Sequence, residues 1–149
     1  MKTKLAITLI SFLGLSAFPT VALAGAKIEI TANDQMQFDN KVIEVPAGEE
    51  VTLVFTNAGK LPKAAMGHNV VILKPDSDIM AFGAGAIAAA ANEYIPQSGP
   101  LADQLVAHTK LLGPGETDTI TFTLAAGVYK FLCSFPGHYA LMQGTITAK

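Results

Sequence analysis

The chain has 149 residues, of which 50% are hydrophobic, and ten lysines without any arginine stand against 12 acidic residues. The formal net charge of −2 and the lack of a lysine cluster argue against nucleic acid or an anionic membrane surface as a partner. This length suffices for one domain with its own core and leaves no room for a separate catalytic domain.

The first 24 residues have the pattern of a secretory signal peptide. Lys2 and Lys4 precede an apolar run over residues 5–18, and small residues at 22–24 form a cleavage site. The apolar run is shorter than the roughly 20 residues that a membrane-spanning helix needs. We therefore expect a signal peptide at 1–24, no membrane span, and a single exported domain at 25–149.

Seven short segments that alternate in polarity or are rich in β-branched residues predict strands, and turn sequences separate them. They are residues 27–31, 41–45, 50–56, 68–73, 118–124, 128–133 and 144–148. Many short strands at this spacing predict an all-β sandwich or barrel.

An Ala-rich region at residues 76–100 interrupts the strand pattern. Ser77 or Asp78 is a suitable N-cap, so we predict a short helix inserted between strands. Gly83 and Gly85 weaken its first half, and residues 86–94 are therefore expected to form the firmer helix.

Cysteine and histidine, which bind transition metals, are rare in this chain. Cys133 is the only cysteine, and an exported protein meets an oxidising compartment, where paired cysteines form disulfides. Because Cys133 has no partner in its own chain, it is buried and inert, reactive, paired with another molecule, or bound to a metal.

A thiol, an imidazole and a thioether lie close together near the C-terminus. His138 follows Cys133 by five residues and Met142 follows His138 by four, with a Pro-Gly turn between them. His68 is the natural candidate for a fourth ligand. Two histidines, one cysteine and a weak axial methionine make the blue-copper set, and a site whose strong positions are filled by protein predicts one-electron transfer rather than catalysis.

Other interpretations of these residues stay open. Cys133 is also a candidate nucleophile with a histidine base, and copper storage or delivery, or zinc binding, uses similar ligands. We assign no metal to Met66 or to His108, which we expect to be a titrating or locally hydrogen-bonded surface histidine.

Four stretches resemble the azurins, bacterial periplasmic blue-copper proteins of the cupredoxin family. These stretches are NDQMQF at 33–38, KLPKAAMGHNV at 60–70, VAHTKLLGPGETD at 106–118 and CSFPGHYALMQGTITAK at 133–149. The resemblance implies an eight-stranded Greek-key β-sandwich with a helical flap, which agrees with the segments predicted above. It also implies a periplasmic electron carrier that binds one copper ion cycling between Cu(I) and Cu(II). We expect this carrier to be a monomer, as is usual for a shuttle, and not an enzyme.

The resemblance also implies a role for individual residues. The copper ligands matched are His68, Cys133 and His138, with Met142 and the Gly67 carbonyl as axial groups. Asn69 matches an asparagine that ties the two ligand loops together, and Phe135 matches a residue packed beside the site.

We expect redox proteins, such as a cytochrome c-type donor or acceptor or a reductase, to dock at an apolar patch beside the exposed edge of the His138 ring. The patch residues are Leu61, Ala65, Met66, Tyr139 and Leu141.

The sequence departs from the azurin pattern in two places. The disulfide usual in that family is absent, and the position after Asn69, often aromatic there, is Val70. Neither change affects a proposed ligand.

Overall fold

The computed structural model describes residues 25–149, and the predicted signal peptide at residues 1–24 lies outside this part of the chain. The strands are β1 (Ala26–Asn33), β2 (Gln37–Phe38), β3 (Val42–Val45), β4 (Glu50–Asn57), β5 (Val71–Leu73), β6 (Leu105–His108), β7 (Thr117–Thr123), β8 (Gly127–Leu132) and β9 (Gln143–Ala148). The helices are α1 (Lys63–Met66), α2 (Ile79–Ala86), which continues into a 3₁₀ segment (Ile87–Asn92), and α3 (Gly99–Ala102).

The strands form two facing sheets. One sheet has the order β2-β1-β4-β7, and the other has the order β3-β9-β8-β5-β6. The pairs β1/β4 and β3/β9 are parallel, and the other neighbours are antiparallel. The predicted all-β sandwich is confirmed, and the described residues form nine strands where the resemblance implies eight. No helix in the described part of the chain is both long and apolar enough to cross a lipid bilayer.

The core between the sheets follows from alternation along the strands. In β4, Val51, Leu53 and Phe55 are completely buried while the residues between them are half-exposed, as expected for a strand with one buried face. Phe38 of β2 packs against Phe55 and Phe131, with ring centroids 6.1 Å and 5.4 Å apart. Burial of such large apolar side chains is the main favourable contribution to folding.

Strand β5 is buried on both faces because a helical layer covers its outer side. Ile72 points into the sandwich, whereas Val71 and Leu73 pack with Phe82 and Ala86 of α2 in a second, smaller core. We call residues 79–98, which contain α2 and the 3₁₀ segment, the flap.

The helical insertion is present, but its firmer half is the opposite of the one predicted. Residues 79–86 form the α-helix despite two glycines, because Asp78 caps the backbone N–H groups of Met80 and Ala81 at 2.8 Å and 3.1 Å and the helix buries Ile79 and Phe82. Residues 87–92 bury no side chain and form only a 3₁₀ segment. Tertiary packing thus outweighs the low helix propensity of glycine.

Two further differences concern strands. Strands β2 and β6 were not predicted, since they have two and four residues and no clear alternation. The segment predicted to be a strand from residue 68 becomes one only at Val71, and His68 makes an isolated bridge to Leu112.

Candidate metal centre

His68 is held by backbone hydrogen bonds on both of its sides. It lies between α1 and β5, its N–H donates to the Leu112 carbonyl at 3.1 Å, and its carbonyl accepts from the Leu112 N–H at 2.7 Å. Asn57 donates from Nδ2 to the same Leu112 carbonyl at 3.0 Å. Hydrogen bonds within the protein therefore fix the His68 backbone by themselves.

The segment from Cys133 to Met142 is a closed loop between β8 and β9. The Cys133 N–H donates to the Met142 carbonyl at 3.0 Å, and the Met142 N–H donates to the His138 carbonyl at 2.8 Å. Gly137 has φ of +82°, a conformation that suits glycine, and the His138 N–H closes the turn on the Phe135 carbonyl at 3.0 Å. The loop thus turns Cys133 and His138 toward one point.

The structure brings His68, Cys133 and His138 together. Their side-chain donor atoms all lie within 4.8 Å of one another, and the three residues are buried. Cys133 Sγ lies 3.9 Å from His68 Nδ1 and 3.6 Å from His138 Nδ1. These distances exceed those of strong hydrogen bonds, so the three groups face each other without being firmly paired.

The spacing fits a metal ion between the three donors. With bond lengths typical of zinc, about 2.3 Å to a thiolate and about 2.0–2.1 Å to an imidazole, and trigonal angles, sulfur and nitrogen lie about 3.8 Å apart. The observed separations are 3.9 Å and 3.6 Å. One thiolate and two imidazoles in a trigonal arrangement form the donor set of blue-copper sites.

Burial also sets the protonation of these groups. It raises the pKa of the Cys133 thiol from 9.0 to about 11. Burial, together with the charge of the neighbouring His68, lowers the pKa of His138 from 6.5 to about 4. At neutral pH the His138 imidazole is therefore neutral and free to bind a metal, whereas the Cys133 thiol must release its proton when a metal binds.

Burial lowers the pKa of His68 as well, against smaller opposing effects of the Asn33 carbonyl and the Asp34 carboxylate. The Nε2 atom of His68 is buried and makes no hydrogen bond of ordinary geometry. The Asn33 carbonyl therefore acts on the ring as a nearby dipole rather than as a formed hydrogen bond.

The two residues expected to be axial ligands border this cluster. Met142 is completely buried at the end of the loop. Gly67 is buried directly before His68, and a Cβ at this position would lie 2.7 Å from the Lys63 carbonyl and 3.0 Å from Leu111 Cγ. The close packing explains why a glycine occupies this position.

Asn69 connects the two ligand segments through a pair of buried hydrogen bonds. Its Nδ2 donates to Ser134 Oγ at 2.9 Å, and its Oδ1 accepts from the Ser134 N–H at 2.9 Å. Sequence reasoning did not single out Ser134, whose only signal was its position next to Cys133. The Asn69 amide thus fixes the segment that carries His68 relative to the segment that carries Cys133.

Aromatic rings cover the His138 side of the cluster. The Phe135 ring lies 4.7 Å from the His138 ring, and Tyr94 of the flap meets Phe135 edge to face at 5.3 Å. Tyr94 was not identified from the sequence, because it lies 41 positions before Phe135 and no local pattern indicates the contact.

The expected docking residues lie at the surface to different degrees. Leu61 and Leu141 are 44% and 57% exposed, whereas His138 is only 3% exposed, so much less of its ring edge is accessible than expected. Tyr139 is half-buried because it packs directly on Gly83 of α2, where no side chain intervenes.

His108 lies apart from the cluster, as expected. It is exposed at the end of β6, and its Nδ1 lies 3.1 Å from the Thr109 carbonyl oxygen.

Two facing β-sheets with a buried Cys-His-His cluster at one end characterise the cupredoxins, a class of small copper proteins. The family model described as copper binding proteins, plastocyanin/azurin family, matches residues 24–149. The chain belongs to this family, and copper is the cofactor that the family binds.

Individual relatives agree with this assignment. The chain is 44% identical over 138 residues to azurin of Bordetella pertussis, covering 89% of this chain and 90% of the relative. It is 41% identical over 124 residues to azurin of Alcaligenes faecalis, covering 80% and 94%. Among solved structures, it matches reduced auracyanin of Roseiflexus castenholzii with a TM-score of 0.73 at 37% identity, covering 84% and 99%, and an azurin of Methylomonas sp. strain J with a TM-score of 0.72 at 31% identity, covering 85% and 99%.

We expect the metal-free protein to be most stable between about pH 6.5 and pH 9. Because the folded pKa of His138 is depressed to about 4, the unfolded state binds the extra proton below pH 6.5, and stability falls as pH drops from 6.5 toward 4. Because the folded pKa of Cys133 is raised to about 11, the unfolded thiol ionises first, and stability falls above pH 9. Each loss is on the order of 3 kcal/mol.

Urea unfolding from pH 4 to pH 10.5 measures these two changes. The Cys133→Ala protein should lose much of the alkaline decline, and the His138→Gln protein should lose much of the acid decline. Equal stability of the parent protein at pH 5 and pH 7 would contradict the assignment of a buried neutral His138.

We expect the Asn69→Ala substitution to destabilise the metal-free protein by about 2–4 kcal/mol, since it leaves both the N–H and the hydroxyl of Ser134 buried without their partner. Ser134→Ala is the matched control, because it keeps the backbone hydrogen bond and should lose only about 1–2 kcal/mol. Urea unfolding measures both free energies. A larger loss in Ser134→Ala than in Asn69→Ala would show that the amide is not the connecting group.

Proposed function

We propose that this protein is a periplasmic single-electron carrier that shuttles electrons between redox proteins and catalyses no reaction of its own. The observation that carries the proposal is the buried, closed cluster of His68, Cys133 and His138, in which the protein itself supplies the strong ligands. Enzymes that use a metal for catalysis keep a coordination position open for substrate or water. A closed site leaves electron exchange as the available chemistry.

In this proposal His68, Cys133 and His138 would hold copper as its strong ligands, and Met142 and the Gly67 carbonyl would supply the weaker ones. Bound copper supplies a one-electron couple between Cu(I) and Cu(II). The residues contribute neutral imidazoles, a thiol that loses its proton on binding, and a dry enclosure. The backbone hydrogen bonds of Leu112 and Met142 hold the segments that carry these donors in place.

Asn69 and Phe135 act on the site without binding the metal. Asn69 places the Cys133 segment relative to the His68 segment through Ser134. Phe135 covers the His138 ring and excludes water from that side. Such neighbours orient ligands and tune the electronic properties of a metal.

The cellular location follows from the N-terminus. We infer that residues 1–24 direct export and are removed, so that residues 25–149 act as a single domain in the periplasm. The charged start, the apolar run and the small residues before position 25 support this inference.

Redox partners dock, in this proposal, at the apolar patch formed by Leu61, Ala65, Met66, Tyr139 and Leu141. Leu61 and Leu141 are the most exposed large apolar side chains of the patch, and the partly buried Tyr139 anchors it on the flap. Such patches commonly mark interaction sites. Its expected partners are a cytochrome c-type protein or a reductase, which a monomeric carrier meets transiently.

We expect the protein loaded with copper(II) to show an intense blue thiolate-to-copper absorption band. The band should be absent from Cys133→Ala, which lacks the thiolate, and retained in His108→Ala, whose imidazole lies outside the cluster. Visible absorption after copper titration is the measurement. A colourless product whose Cys133 reacts freely with an alkylating reagent would instead favour a thiol enzyme or a metal-free role.

We expect Leu141→Lys to slow electron exchange between two copies of the copper protein by roughly tenfold or more at low salt, because two lysines then meet in the encounter complex. Added salt should restore part of the rate. The matched control is Val128→Lys, which introduces the same charge at a position that is 55% exposed. Val128 lies near the start of β8, whereas Cys133 follows its end.

The self-exchange rate is measured by line broadening of nuclear magnetic resonance signals in mixtures of the two oxidation states. Equal rates in the parent protein and Leu141→Lys, or an equal decrease in Val128→Lys, would remove the patch as the docking surface.

A further inference from the structure

The tip of the flap has an unusual backbone. Glu93 and the residue after it, Tyr94, both have positive φ, at 55° and 64°. Residues other than glycine rarely adopt this conformation, and it persists where surrounding contacts hold it. Two consecutive residues of this kind indicate that tertiary contacts hold the tip, residues 93 and 94, in this conformation.

The carboxylate of Glu93 contacts two separate parts of the chain. Its Oε1 accepts a hydrogen bond from Lys63 Nζ at 2.8 Å, and its Oε2 accepts one from the Leu111 N–H at 3.0 Å. Both contacts lower the pKa of Glu93, with the Lys63 contact as the larger cause. The carboxylate is therefore ionised at neutral pH and has one oxygen for each segment.

Both segments lead directly to His68. Lys63 begins α1, which ends at Met66 immediately before Gly67 and His68. Leu111 precedes Leu112, which exchanges two backbone hydrogen bonds with His68.

Gly67 is wedged between the same two segments. A Cβ on this residue would lie 2.7 Å from the Lys63 carbonyl and within 3.1 Å of two Leu111 side-chain atoms. Movement of either segment would therefore move the backbone that carries His68.

Tyr94, the residue after Glu93, lies on the His138 side of the cluster. The Tyr94 ring packs against Phe135, which in turn covers His138. The tip of the flap thus contacts the surroundings of both histidines, although it contributes no donor atom to the cluster.

We propose that Glu93 is a positioning residue for the metal centre, whose carboxylate joins the flap to the two segments that hold His68. An exposed ion pair contributes little to stability in general, and the Glu93 side chain is 44% exposed. Its role here is geometric, because the carboxylate is also the acceptor for the Leu111 N–H. The proposal deepens the proposed function and rests on His68 being part of the copper site.

Three variants separate positioning from charge. Glu93→Gln removes the charge but keeps a carbonyl oxygen that accepts from the Leu111 N–H, whereas Glu93→Ala removes both. Glu44→Ala is the matched control, because it breaks an exposed ion pair with Lys149, also 2.8 Å long, on β3 rather than on the flap.

The first measurement is the alkylation rate of Cys133 in the metal-free protein at increasing low urea concentrations. We expect Glu93→Ala to react about tenfold faster than the parent protein with little dependence on urea, as for a local opening around His68. Glu93→Gln and Glu44→Ala should react within about twofold of the parent rate. This measurement does not involve copper, so it is informative even if the copper proposal fails.

The second measurement is the reduction potential of the copper-loaded variants. We expect a shift in Glu93→Ala that Glu93→Gln largely reverses. Equal shifts in both variants would mean that Glu93 acts through its charge alone, and the positioning proposal would be overturned. Unchanged alkylation in Glu93→Ala, or an increase that follows global unfolding in urea, would overturn it as well. Failure of the proposed function is distinguishable, since it would appear as a missing blue band in the parent protein.

Discussion

The metal centre depends on the burial of two imidazoles and a thiol in a place where a β-sandwich would ordinarily place apolar side chains. This burial opposes ionisation of all three groups, and the Asp34 carboxylate offsets only a smaller part of it, at His68. The groups remain together because backbone hydrogen bonds fix each of them separately: Leu112 holds His68, and Met142 holds Cys133 and His138. The sandwich therefore imposes the arrangement of donors, and a metal that matches it gains affinity because little of the protein must rearrange.

Much of this architecture could be predicted from the sequence, because it depends on patterns of residues that are close together in the chain. Alternation located seven strands, and the spacing of Cys133, His138 and Met142 identified the loop that carries the cluster. The contacts that could not be predicted join distant positions. The flap was assigned its firmer helix in the wrong half, because burial of Phe82 against the sheet outweighs two glycines. Glu93 gave no local signal, since its importance comes from partners 30 and 18 residues away.

The chain lacks the disulfide usual among the azurins, and side-chain to backbone hydrogen bonds supply connections between distant segments instead. Asn57 spans from β4 to the Leu112 carbonyl, and the Asp34 carboxylate accepts the N–H groups of Lys60 and Leu61. Glu93 connects the flap to Leu111 in the same way. These connections meet around the segment that carries His68. The segment that carries His68 is thus held from several distant parts of the chain.

The position of β9 has a consequence for how the five-stranded sheet and the metal-binding loop are held together. This last strand is not at an edge of its sheet but lies between β3 and β8, and Lys149 exchanges backbone hydrogen bonds with Val45 and Ala47. The five-stranded sheet therefore depends on β9, which alone pairs with both β3 and β8. The loop that carries Cys133 and His138 precedes β9 directly, so the pairing of β9 with β8 holds both ends of this loop together. Loss of β9 would therefore separate β3 from β8 and release one end of the loop that carries Cys133 and His138.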